Sequence, residues 1–157
     1  MRLGTMLIAA TVFVLALPVS AQPINRAGLS RDEVATYLKS KGYPVTAAKD
    51  HNDNSILKST SPSKVNFDIY FFDCNDAGRC ESIQFAAGWT VGTPIRTEQL
   101  NVWNRANRFM RAYVQDGGAL YGEIDMIIAP GGSMDMMEKN RILWNALLDK
   151  FKTHFGL

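Results

Sequence analysis

Apolar side chains recur along this chain at two spacings, and the spacing changes where the element changes. From Val65 to Phe71 they alternate: Val65, Phe67, Ile69 and Phe71 share one face, Asn66, Asp68 and Tyr70 the other. That is the pattern of a half-buried strand. After the turn "DCNDAGRC" the alternation resumes, with Ile83, Phe85, Ala87 and Trp89 facing one way and Ser82, Gln84 and Ala86 the other. Two such runs joined by a few residues that include Gly78 predict a hairpin. Upstream, Tyr43 to Ala48 and Ser55 to Ser59 are shorter strand candidates around the polar turn "KDHNDN". A further run, from about Ala119 to Ile128, places Leu120, Ile124, Met126 and Ile128 on one face and Tyr121, Glu123, Asp125 and Ile127 on the other.

Elsewhere the spacing is helical. "SRDEVATYLKSKG" opens with Ser30 and Glu33, a capping box, buries Val34 and Leu38, and closes at Gly42. "PGG" turns the chain before Ser133 caps a last helix, which runs to about Phe155 and buries Leu143, Trp144, Leu147, Leu148, Phe151 and Phe155. Between these, a helix is predicted from a cap at Thr97, with Glu98 in its first turn, to Gly117-Gly118. At 100° per residue its apolar face collects Trp103, Ala106, Phe109, Met110, Tyr113 and Val114. Asn101, Asn104, Arg105, Arg108 and Arg111 fall opposite, and Asn107 lies at the margin, where its amide can bond a neighbouring backbone or hydroxyl group. The order is helix, four strands, helix, strand, helix, which implies an α+β domain: an antiparallel sheet of about five strands with helices on one face.

The first residues set the compartment. Arg2 is followed by an apolar run from Met6 to Leu17, too short to span a bilayer, then by Pro18 and the small residues Ser20 and Ala21. This reads as a signal peptide over residues 1–21, with Gln22 as the expected mature start. Residues 22–28 are then a flexible N-terminus and residues 29–157 one domain, periplasmic or secreted. Of seventeen basic and fifteen acidic side chains, the leader removes only Arg2, leaving a net charge of +1. With acids dispersed among the bases, a nucleic-acid partner is not expected, and after cleavage neither is a membrane. Cys74 and Cys80 form an even pair in an oxidising compartment, and a disulfide between them closes the hairpin loop as a structural staple.

The chemistry-bearing residues are few. Asp50, Asn52 and Asn54 alternate as in the start of a calcium loop, but Ser55 and Ser61 stand where its glycine and closing glutamate belong, so the stretch reads as a turn with His51 exposed. Gly131-Gly132-Ser133 lacks both the lysine of a phosphate loop and the third glycine of a dinucleotide fingerprint, although its backbone N–H groups could still face an anion. His154, the other histidine, falls at the end of the last helix, where a cation suits the dipole. No serine sits in a nucleophile elbow, and no metal, cofactor or catalytic residue is expected. What stands out is the row Arg105, Arg108 and Arg111, with Asn104 beside it. An ordinary solvated helix back accounts for such a row. Three arginines without an interleaved acid also suit a docking surface relieved by a partner's acids.

"DIYFFDCNDAGRCESIQFAAGW", "LNVWNRANRFMRAYVQDGG", "EIDMIIAPGGSMDMM" and "WNALLDKF" together resemble the YbjN-like family of bacterial sensory transduction regulators. The likeness spans about Leu29 to Phe155. Its most specific part is the cysteine pair followed by Asn101, Trp103, Asn104, Arg105, Phe109 and Tyr113. The resemblance implies an α+β fold similar to the type III secretion chaperones, whose small domains often dimerise and hold extended segments of other proteins, and it brings no catalytic residue. Residues and resemblance together point to an exported, non-enzymatic module that docks another protein in sensory or stress-related regulation, with a homodimer possible. The alternative is a periplasmic protein that binds a small ligand or anion at the Gly131-Gly132-Ser133 turn.

Overall fold

A computed structural model describes residues 22–157; the leader expected over residues 1–21 lies outside the described residues. The chain forms β1 (Leu29–Ser30), α1 (Arg31–Ser40), β2 (Val45–Lys49), β3 (Ser55–Thr60), β4 (Asn66–Cys74), β5 (Arg79–Trp89), α2 (Thr97–Ala106), β6 (Arg111–Val114), β7 (Leu120–Ile127) and α3 (Met134–Phe155). Every pairing is antiparallel. The sheet runs β2-β3-β4-β5-β7-β6, with β1 against the start of β5. The fold is α+β, with seven strands among the described residues rather than about five.

One face of the sheet is the core. Leu57, Ile69, Phe85 and Ile124 stand side by side across four strands, and α3 lays Trp144 over Phe67 and Phe85 and Phe151 over Trp89. Trp103 of α2 meets Phe151 edge-on. Burying such a layer supplies most of the folding free energy, at roughly 25 cal/mol per Å² of apolar surface.

The ends of α1 and α3 follow their local chemistry. Ser30 Oγ accepts from Glu33 N at 3.2 Å while the Glu33 carboxylate accepts from Ser30 N at 2.8 Å, and Ser133 Oγ accepts from Met136 N at 3.2 Å. Residues 22–28, expected to be flexible, lie against the domain. Ile24 is buried, Ile24 N donates to Gly132 O, Met134 N donates to Gln22 O, and the Arg79 guanidinium donates to Gly28 O. Gly28, at φ +92°, lies so close to Cys80 that a Cβ would fall 1.9 Å from its carbonyl oxygen. Cys74 and Cys80 face each other in the β4–β5 register and are joined as a disulfide.

The predicted helix from Thr97 to Gly118 is the principal correction. The helix starts one residue after its cap at Arg96, whose N–H is held by the Gln99 side chain, and it stops at Ala106. Asn107 takes an extended backbone, and its Nδ2 donates to Trp103 O at 2.9 Å, which anchors the exit. The chain then enters β6. From Met110 onward the burial alternates at a period of two: Met110 and Ala112 are buried, Arg111 is exposed. A short apolar run fits both periods, and pairing with β7 decides for the strand.

Candidate functional site

Among the described residues no helix covers the other face of the sheet, and its side chains align in cross-strand rows. One row reads Lys58, Asp68, Ala86, Glu123, Arg111, a pair of opposite charges at each end and a methyl group between. Lys58 Nζ lies 3.3 Å from Asp68 Oδ1. At the other end Glu123 is only 5% exposed, and two side chains bond its carboxylate. Arg111 donates Nε to Glu123 Oε2 at 2.8 Å, its Nη2 lies 2.6 Å from the same oxygen, and Tyr113 donates its hydroxyl to Oε1 at 2.5 Å. The carboxylate raises the Arg111 pKa, chiefly through that hydrogen bond, while burial and Glu123 both push the Tyr113 hydroxyl up. Burial first, then the charge of Asp68, pushes Tyr70 up to about 12.

Beside this row the face is hollow. A trough of about 440 Å³ lies over Ala86 and Gly88 between Tyr70 and Tyr121. Gly88 makes it possible: a Cβ there would sit 2.7 Å from Cζ of the Tyr121 ring. Tyr121 stacks in turn on Tyr113 at 5.6 Å. Toward the opposite end the surface turns apolar. Phe72, Ser82 and Ile127 form one row, in which Phe72 is 44% and Ile127 79% exposed. The antiparallel register places the start of β6 at the Ile127 end of β7, and the turn leading into it presents Phe109, 55% exposed, under the Arg108 guanidinium 4.9 Å away.

The helix side holds a second polar cluster. Glu138 of α3 accepts from the Tyr37 hydroxyl at 2.7 Å, forms a two-pronged contact with Arg141 at 2.7 and 3.0 Å, and pairs with Lys41 at 3.3 Å. Those donors, Arg141 foremost, bring its pKa down to about 2. Arg141 and Asn145 also donate to the Tyr43 hydroxyl, at 3.1 and 2.6 Å, so the cluster clamps α1 and the chain after it to α3. It borders a cleft of about 650 Å³ floored by Ile24, Leu29 and Met134.

A family model described as "Putative bacterial sensory transduction regulator" matches residues 30–157. The chain belongs to the YbjN family. No curated protein and no solved structure matches it.

In this YbjN domain the arginine row of the sequence does not exist as a helix face. Arg105 is exposed in the last turn of α2, Arg108 is exposed in the following turn, and Arg111 opens β6 and is committed to Glu123. Asn104, a candidate contact, is spent on structure: its Nδ2 donates to Ala112 O at 3.0 Å and its Oδ1 accepts from Ala112 N at 2.8 Å. Trp103 Nε1 donates to Met110 O at 2.9 Å. Trp103 and Asn104 therefore cover the outer edge of β6 at Met110 and Ala112.

Three other sequence candidates resolve into local architecture. Asp50 Oδ1 accepts from the N–H groups of Asn52 and Asn54, which builds the β2–β3 hairpin turn. At the glycine turn, the Met134 and Met136 N–H groups that would face an anion are already taken by Gln22 O and Ser133 Oγ. His154 packs on Trp103 and Phe155. Sequence reasoning missed the Phe72–Ile127 row, because alternation assigns residues to a face without saying which face stays uncovered.

Proposed function

We propose that this YbjN domain is an exported, non-enzymatic module that docks another protein in sensory or stress-related regulation, and that the uncovered sheet face is its contact surface. The observation that carries this reading is the apolar end of that face, where Phe72, Ile127 and Phe109 stand exposed. Large apolar side chains clustered on an open surface mark interaction sites. Arg105 and Arg108 make no ion pair among the described residues and offer charge to an acidic partner, Arg108 directly over Phe109. The polar side chains of the face are engaged with one another, Lys58 with Asp68, Arg111 and Tyr113 with Glu123, Gln84 with Asp125, which suits a preformed binding surface better than a reactive centre. The apolar leader and the paired cysteines support export. The occupied Met134 and Met136 N–H groups, just after the glycine turn, weigh against an anion held at the start of α3.

Affinity capture from the cell envelope after brief in-cell crosslinking tests the reading. The oxidised mature domain is expected to recover a discrete protein partner, and Ile127→Asp with Phe109→Ser to lose it. Equal recovery by that variant, folded by circular dichroism, would remove this face from the contact.

A further inference from the structure

The two edges of the sheet are treated differently. Hydrogen-bond bookkeeping along each edge shows which backbone groups point outward, because residues of an antiparallel strand alternate between bonding one neighbour and bonding away from it. In β6, Gln115 N donates to Ala119 O, so the groups of Tyr113 and Arg111 turn toward β7 and those of Ala112 and Met110 turn out. Asn104 takes both outward groups of Ala112 and Trp103 takes the Met110 carbonyl, so the middle of this edge is covered. At the opposite edge Asp50 N donates to Asn54 O, which turns Ala48 and Thr46 toward β3 and leaves Val45, Ala47 and Lys49 facing out. The β3–β4 ladder agrees, since Ser61 N donates to Val65 O and so assigns Ser59 and Leu57 to β4 and Lys58 and Ile56 to β2. Among the described residues, no side chain or loop bonds the outward groups of β2.

Open edges are ordinarily protected by projecting lysines. Here Lys49 is drawn back into its own hairpin, with Nζ donating to Asp53 O at 2.7 Å and lying 3.7 Å from Asp53 Oδ1. The residues between Val45 and Lys49 are Thr46, Ala47 and Ala48, too small to obstruct an incoming strand.

We infer that β2 is the self-association edge of this protein, and that a second copy pairs with it antiparallel about a two-fold axis through Ala47. The register is self-complementary: Ala47 meets Ala47 of the other copy, each Val45 meets a Lys49, and every outward group faces another outward group, for about six inter-strand bonds. Thr46 falls opposite Ala48, so the seam holds no bulky side chain and no like charges directly opposed. A foreign peptide would gain the same backbone bonds but little selectivity from such small side chains, because strand addition takes its specificity from side-chain pockets. The short seam buries less than the roughly 1,200 Å² of a stable interface, so the dimer is weak and set by concentration.

The test is sedimentation of the oxidised mature chain across micromolar to millimolar concentration. A reversible dimer is expected. Ala47→Pro removes only an outward N–H and blocks the edge, so it should weaken the dimer at least tenfold while leaving the circular dichroism spectrum and melting temperature close to wild type. Ala47→Asp, which sets two carboxylates against each other on the axis, should do the same without a backbone change. Ala48→Pro, which deletes a bond to β3, should lower the melting temperature instead. A chain that stays monomeric at millimolar concentration, or a dimer unaffected by Ala47→Asp, would overturn the inference. Neither result depends on whether the open face captures another protein.

Discussion

Arg105, Arg108 and Arg111 look interchangeable in the sequence, yet their environments are not. Arg105 and Arg108 are exposed, the second over the Phe109 ring, whereas Arg111 is a donor to a carboxylate that is almost fully buried. Removing Arg111 leaves Glu123 with Tyr113 as its remaining side-chain donor and no neutralising charge. Arg111→Ala should therefore destabilise the domain by about 2 kcal/mol in urea denaturation, since a buried group stripped of a charged partner bears most of its desolvation cost. Arg105→Ala and Arg108→Ala should each stay within about 0.5 kcal/mol of wild type. Equal effects at all three positions would contradict the assignment of Arg111 to Glu123. The spacing of three that joined these arginines on paper could not reveal this, because the acid that separates Arg111 from the others is twelve residues further on.

Among the elements, α2 and β6 are a coupled pair. The helix ends where Asn107 leaves the helical region, and the strand it releases is held by the helix's own Trp103 and Asn104. Asn104→Ala would leave Ala112 with an unpaired N–H and C=O at the sheet edge, at a cost of about 1–3 kcal/mol. Hydrogen exchange offers a local check: the Ala112 amide should lose protection in that variant while the β4–β5 ladder keeps its own. An unchanged Ala112 rate would mean that the edge is closed by something other than the asparagine. The hairpins and the first and last helices were legible because each carries its own periodicity and caps. The segment from Asn107 to Val114 was not, because its apolar residues fit a helix at 3.6 spacing and a strand at 2.0, and only the partner strand separates the two.

At the scale of the whole molecule, α1 and the chain after it are tied to α3 by one acid, Glu138, held among Tyr37, Lys41 and Arg141. Its folded pKa of about 2 lies below the ordinary glutamate value of 4.5. A depressed carboxylate contributes stability that is fully present above the unfolded pKa and is lost as the proton returns. Stability should fall as pH drops from about 4.5 toward 2, and Glu138→Gln should flatten that slope at the expense of stability at neutral pH. Urea midpoints at several pH values read both effects, and a variant with the wild-type slope would place the acid sensitivity elsewhere. The Cys74–Cys80 link closes a short loop on the same sheet and restricts the unfolded chain, an effect of about 2.4 kcal/mol in the chain-entropy model.

The sequence by itself determined the local elements and one global property. Alternation marks β4, β5 and β7, capping residues mark α1 and α3, and together they specify an antiparallel α+β fold whose inward faces are apolar. These signals are local, since each depends on residues within one or two turns of chain. Which face remains open, which arginine is neutralised, which edge is sealed and which is bare depend on residues brought together from distant positions. Glu123 meets Arg111, Asn104 meets Ala112, and Phe72 joins Ile127 only when the strands are laid in order β4, β5, β7, β6. Spacing along the chain cannot encode that order, because hydrogen bonds between strands carry no periodicity of their own beyond the alternation every strand shares.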